Sequence, residues 1–75
     1  MSIIRYIAHN FGSERKARGY TQQEIADEIG VTKAWICQIE RGISTPSIQR
    51  LEDLATALGM DPRSLLRPIG EEYDG

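Results

Sequence analysis

Seventy-five residues, 40% of them hydrophobic, with one cysteine, one histidine and a formal net charge of −2, supply material for a single modest core. One cysteine cannot close an internal disulfide, and Cys37 with His9 makes no set of soft ligands for a metal, so neither a metal nor any other cofactor is implied. No apolar run approaches the ~18 residues needed to cross a bilayer, and the polar, charged start MSIIRYIAHNF is unlike a secretory leader, so a soluble, cytoplasmic protein is expected.

In chain order, Ile4, Ile7, Ala8 and Phe11, with Arg15 at the end of the same stripe, recur at helical spacing. They predict a first helix from about Ile3 to Ala17, although Asn10 and Gly12 weaken propensity inside it. The segment YTQQEIADEIG then sets Thr21 as a cap with Glu24 three residues on, a capping box, flanked by a Tyr20 and Ile25 staple. Gly30 supplies the left-handed residue that stops this second helix. A third helix restarts at once, with Thr32 as cap, Val31 and Ile36 as staple and Gly42 as stop. Pro46 and Ser47 precede Ile48, Leu51, Leu54, Ala55 and Leu58, a fourth helical stripe ending at Gly59. The segment MDPRSLL repeats the start signal, with Asp61 as cap, Pro62 at the first helical position and Met60 stapled to Leu65, for a short fifth helix. Nothing alternates as a strand does. The expected architecture is therefore all-α, five helices in one domain over residues 1–68, with a short tail at 69–75.

Helices separated only by Gly30, Val31 and Thr32 must cross steeply, and Ala26 leaves room for the third helix to approach the second. Spacing alone fits an ordinary helical hairpin as well as a DNA-binding helix-turn-helix. The residues carry more. Thr-Gln-x-Glu-Ile-Ala at 21–26, Gly-Val-Thr at 30–32, Ile-x-x-Ile-Glu-Arg-Gly at 36–42, Pro-Ser at 46–47 and Ala-x-x-Leu-Gly at 55–59 closely resemble the lambda-repressor and Cro-like (XRE-type) helix-turn-helix regulators. That resemblance implies a compact lambda-repressor-like fold, with the helix-turn-helix at about 21–42, and a regulator that binds double-stranded operator DNA as a homodimer.

On a wheel of the third helix, Ile36, Ile39 and Glu40 share one face, leaving Ala34, Gln38 and Arg41 on the other. The first face is core, where Glu40 needs a partner; Arg15 on the inner stripe is the candidate, and the family carries such a pair. The second face is free to enter a major groove. Gln38 suits adenine, Lys33 suits guanine or a phosphate, and Ala34 suits a thymine methyl, against the plainer reading that these side chains merely solvate a helix. Trp35, at the edge of this face, either lies on sugar, phosphate or a thymine methyl, the reading preferred at this point, or packs into the core or a dimer contact. Cys37 reads as a small packing residue. Free N–H groups at helix starts suit phosphates, so Thr32, Thr45 and Ser47 are candidate backbone contacts, with Arg41 nearby; Gln22 matches the family's backbone-contacting glutamine. Ile43, Ser44 and Thr45 stand where some relatives have cations.

Positive charge is in excess over residues 1–20 and 32–50, negative charge over 21–31 and 51–75, so a basic and an acidic face are expected despite the net charge. Met60, Leu65, Leu66 and Ile69 are more apolar than a short last helix needs and are the expected dimer contact. Asp27, on the outer side of the second helix with Glu28, matches the position where activating relatives present acid to RNA polymerase, although a solvated surface that aids solubility is the favoured reading. No nucleophile with a base, carboxylate pair or phosphate loop suggests an enzyme. Within the resemblance, the small size fits a phage-type repressor or a restriction-modification controller; the same fold also serves antitoxins and coactivator-type protein-interaction modules.

Overall fold

Local capping chemistry sets where three of the four α-helices begin in the computed structural model, which describes residues 2–69. The Thr21 hydroxyl accepts from the Glu24 N–H (3.0 Å) while the Glu24 carboxylate accepts from the Thr21 N–H (2.8 Å), closing the capping box. Thr32 and Ser47 cap in the same way, accepting from the N–H groups of Trp35 (3.0 Å) and Arg50 (3.1 Å). Each such cap is worth about 1 kcal/mol. They start α2 (Gln22–Ile29), α3 (Lys33–Glu40) and α4 (Ile48–Leu58), which follow α1 (Ile3–Ala17), a helix that Ser2 precedes without a side-chain cap.

The chain must reverse between α2 and α3 within three residues, and Gly30 does this at φ +75°, a conformation that strains any side chain. The N–H groups of Gly30 and Val31 both close back onto the Ala26 carbonyl. Ala26 itself is fully buried where α2 meets α3.

The last element differs from the expected fifth α-helix. Pro62–Leu66 is a 3-10 helix, the tighter form favoured in short pieces. Asp61 caps it; hydrogen bonds from the Arg63 side chain, and then from the Arg63 N–H, hold the Asp61 carboxyl down to about 2. Two long-range contacts fix its place. The buried Asn10 side chain donates to the carbonyls of Leu65 (3.0 Å) and Arg67 (2.9 Å), so the residue that weakens α1 locally satisfies a distant helix end.

α1 packs against α3, α4 and the 3-10 helix, and α2 against α3 and α4. Their inner faces meet in one core built on Phe11, Ile25, Ile36, Ile39, Leu54 and Leu65, all with less than 2% exposure. Leu65 was expected at a dimer contact; it is instead sealed inside the monomer, because the 3-10 helix folds back onto α1 and α4 to close the bottom of the core. Met60 is half-buried against the same core, so it too serves the fold first. No strand occurs among the described residues, and none of their helices is long and apolar enough to cross a membrane. The expected tail lies, beyond Ile69, outside the described residues.

Candidate nucleic-acid interface

α3 divides cleanly. Ile36 and Ile39 are buried at 0% and 1% exposure, while Lys33, Ala34, Gln38 and Arg41 are exposed, as the 100° step per residue requires. The outward side thus carries a cation, a small apolar residue, an amide and a second cation along two turns. The Gln38 side-chain oxygen accepts from the Ser44 hydroxyl (3.2 Å), and its backbone carbonyl accepts from the N–H groups of Ile43 (3.0 Å) and Ser44 (3.3 Å). Ser44 therefore engages the amide through its oxygen. Ser44 was absent from the expected site; its role depends on how the chain curls back after Gly42, which spacing does not reveal.

Trp35 is half-buried and packed against the core, so most of its surface belongs to the fold. That favours the packing reading over the DNA contact preferred from sequence. Cys37 is a free thiol, also half-buried.

Below α3 lies a charged cluster that fixes its C-terminal end. Arg15 Nε and Nη2 donate to the two Glu40 carboxylate oxygens (2.6 and 3.0 Å), and Arg15 Nη1 donates to the Tyr20 carbonyl (2.7 Å). The side chains of this bidentate pair are only about a tenth exposed. Hydrogen bonding to Glu40 raises the Arg15 pKa, against the opposing effect of burial. Gln22 donates to the same Glu40 oxygen (3.2 Å), so its side chain is engaged with the protein at the start of α2. Gly12 lies directly beside the cluster: a Cβ there would come to 3.4 Å from Glu40 Oε1, about van der Waals contact. From the sequence, Gly12 reads only as a weak point in a helix.

Thr32, Thr45 and Ser47 are exposed at helix starts or beside them. Thr32 and Ser47 accept from their own helices, which leaves each hydroxyl hydrogen to donate. The loop between α3 and α4 also exposes Ile43 (61%) and Ile48 (79%). Arg50 donates to the Ile29 carbonyl (3.0 Å) at the end of α2, tying α4 to the helix-turn-helix, a link with no signal in local sequence. On α2, Asp27 and Glu28 are exposed, Asp27 accepting from Gln23 (2.8 Å). Of the expected dimer residues, Leu66 is exposed at 37% and Ile69 half-buried.

Against known proteins, a family model described as helix-turn-helix matches residues 13–65. The chain is 43% identical over 63 residues to the HTH-type transcriptional regulator SinR of Bacillus subtilis (strain 168), covering 81% of this chain and 57% of that one. Among solved structures it superposes with TM-score 0.85 on the hypothetical transcription factor NHTF from Neisseria, at 27% identity over 95% of this chain and 82% of that one. The restriction-modification controller protein C.AhdI from Aeromonas hydrophila gives TM-score 0.79 at 29% identity, over 83% and 94%. The chain therefore spans a little over half the length of the SinR proteins it matches. Capped α2 and α3 about the Gly30 turn, the Arg15 to Glu40 pair beneath them and the family match over most of the chain give one answer: the chain belongs to the lambda-repressor and Cro-like (XRE-type) helix-turn-helix family.

Proposed function

We propose that this chain regulates transcription by binding operator DNA in a sequence-specific way, as a homodimer, with α3 lying in the major groove. The observation that carries the reading is the division of α3: its apolar face is consumed by the core while Lys33, Ala34, Gln38 and Arg41 are presented together on the outside. Gln38 reads a base edge with its amide, Lys33 meets guanine or phosphate, and Ala34 packs on a thymine methyl. Thr32, Thr45, Ser47 and Arg41 meet phosphates and set the register, as does Gln22 through the start of α2. One such helix covers few base pairs, so specificity calls for two copies on half-sites about 34 Å apart, joined at the end of the chain that exposes Leu66. Its likeness to a restriction-modification controller supports that variant of the reading.

Selection of binding sites from random duplexes tests this directly: a two-fold symmetric motif is expected. Gln38→Ala is then expected to weaken binding to that motif by about 1–3 kcal/mol and to relax preference at one base pair per half-site. Equal losses on every sequence would remove its readout role. Failure to bind any duplex except with a second protein present would favour an antitoxin or coactivator-type module instead.

Asp27 and Glu28 are exposed on α2 and are the surface offered to RNA polymerase in this proposal. Asp27→Asn should lower activation of a reporter while leaving operator affinity intact. Unchanged activation would confine Asp27 to solubility.

A further inference from the structure

Two adjoining hollows run between α1 and the end of α3. One is lined by Gly12, Ser13 and Lys16, the other by Arg5, Arg41, Gly42 and the half-buried Ile69, and both by Ala8, His9 and Glu40, so they form one trough. Its α1 wall is a single helix face, because Arg5, His9, Ser13 and Lys16 follow at steps of three and four residues. Glu40 is the only carboxylate lining it among the described residues, and both its oxygens are taken by Arg15 and Gln22. Gly12 keeps the floor open, since a side chain there would rest on Glu40. The hollows on the other side of the molecule, between α2 and α4, are instead lined by Glu24, Asp27, Glu28 and Asp53.

We infer that this trough is a second DNA-contact surface, which takes the sugar-phosphate backbone of the same duplex beyond the bases read by α3. The inference rests on the proposed DNA-binding function. Two features select the occupant. The cations complement a polyanion and nothing on this wall repels one, and the trough is continuous with the reading face, because Arg41 belongs to both. From Arg5 to Lys16 the helix rises about 16 Å, enough to follow several phosphates of a strand whose charges recur every ~3.4 Å. Lys16 and Arg41 supply charge, while His9 and Ser13 supply donors between them. This provides cationic contact in a protein whose α3 to α4 loop offers Ile43, Ser44 and Thr45 instead.

The test compares wild type, Lys16→Ala, His9→Ala and Gln38→Ala on the selected motif and on an arbitrary duplex, each long enough to extend past the motif. Lys16→Ala is expected to lower the slope of log Kd against log salt by about 0.9, narrowing the affinity ratio between about 50 and 200 mM salt by about threefold on both duplexes. His9→Ala should weaken binding on both duplexes by a common factor. Arg63→Ala, a cation outside the trough, should keep the wild-type slope. Trimming the duplex to the motif should weaken wild type more than Lys16→Ala. If Lys16→Ala and His9→Ala match wild type on the long duplexes while Gln38→Ala still loses on the motif alone, the trough is not an interface although the reading helix stands. If wild type binds no duplex, both proposals fall.

Discussion

Leu65→Ala is expected to lower the free energy of unfolding by about 3–4 kcal/mol, and Leu66→Ala, one residue on, by less than about 0.5 kcal/mol. Leu65 is fully buried among the side chains that join α1, α4 and the 3-10 helix, so truncation leaves a cavity whose walls are held apart by helices. A domain of this size has about 4–11 kcal/mol to lose, so the variant should sit near its unfolding threshold at ambient temperature. Urea titration at two protein concentrations separates core from interface. A core defect lowers the midpoint by the same amount at both, whereas a lost subunit contact produces a loss that depends on concentration. Leu66 tests the complementary point, because it exposes 37% of its surface at the same end of the chain. Its truncation should weaken self-association severalfold in equilibrium sedimentation while sparing the monomer. A concentration-dependent loss for Leu65→Ala would restore the interface role its position suggested, and wild type sedimenting only as monomer at micromolar concentration would remove the dimer.

What separates the legible from the illegible in this sequence is the distance over which each residue acts. Thr21, Glu24, Gly30 and Thr32 act within three or four residues, through hydrogen bonds and a backbone sign that any reader of the chain can reconstruct, and the helix-turn-helix emerges from them. The two faces of α3 follow from the helical step alone, which is why Gln38 and Ile39 were separable without coordinates. Asn10 is the counterexample: judged within α1 it is a poor helix former, yet its partners are carbonyls 55 and 57 residues away. Gly12 likewise looks like a defect until Glu40 arrives against it. The burial of Leu65 and the packing of Trp35 were illegible for a related reason. An apolar side chain announces that it will be covered but not by what, and only the path of the chain after Gly59 and the tilt of α3 decide between a neighbour within the monomer and a partner outside it.

Glu40→Ala is expected to lower stability by about 3 kcal/mol, and the loss should fall in an unusual place. Removing the carboxylate leaves the Arg15 guanidinium, itself almost wholly covered, with only the Tyr20 carbonyl, and strands Gln22 as well. The cost is mainly that of a covered charge without its partner, so Glu40→Gln, which keeps the shape and an acceptor, should recover about half. Double substitution of Arg15 and Glu40 by residues of matching apolar bulk should cost less than Glu40→Ala alone, which a double-mutant cycle measures. The same change has an opposite sign at the DNA. Glu40 is the carboxylate that lines the α1 trough, and it holds Gln22, the residue that heads α2. Among molecules still folded, at low temperature, Glu40→Ala should therefore bind an arbitrary duplex no more weakly than wild type, although it melts earlier. Stability and non-specific affinity falling together would mean that the pair serves to hold the reading helix in place on DNA. Their divergence would mean that the carboxylate is retained for the fold, at the expense of the phosphate contacts around it.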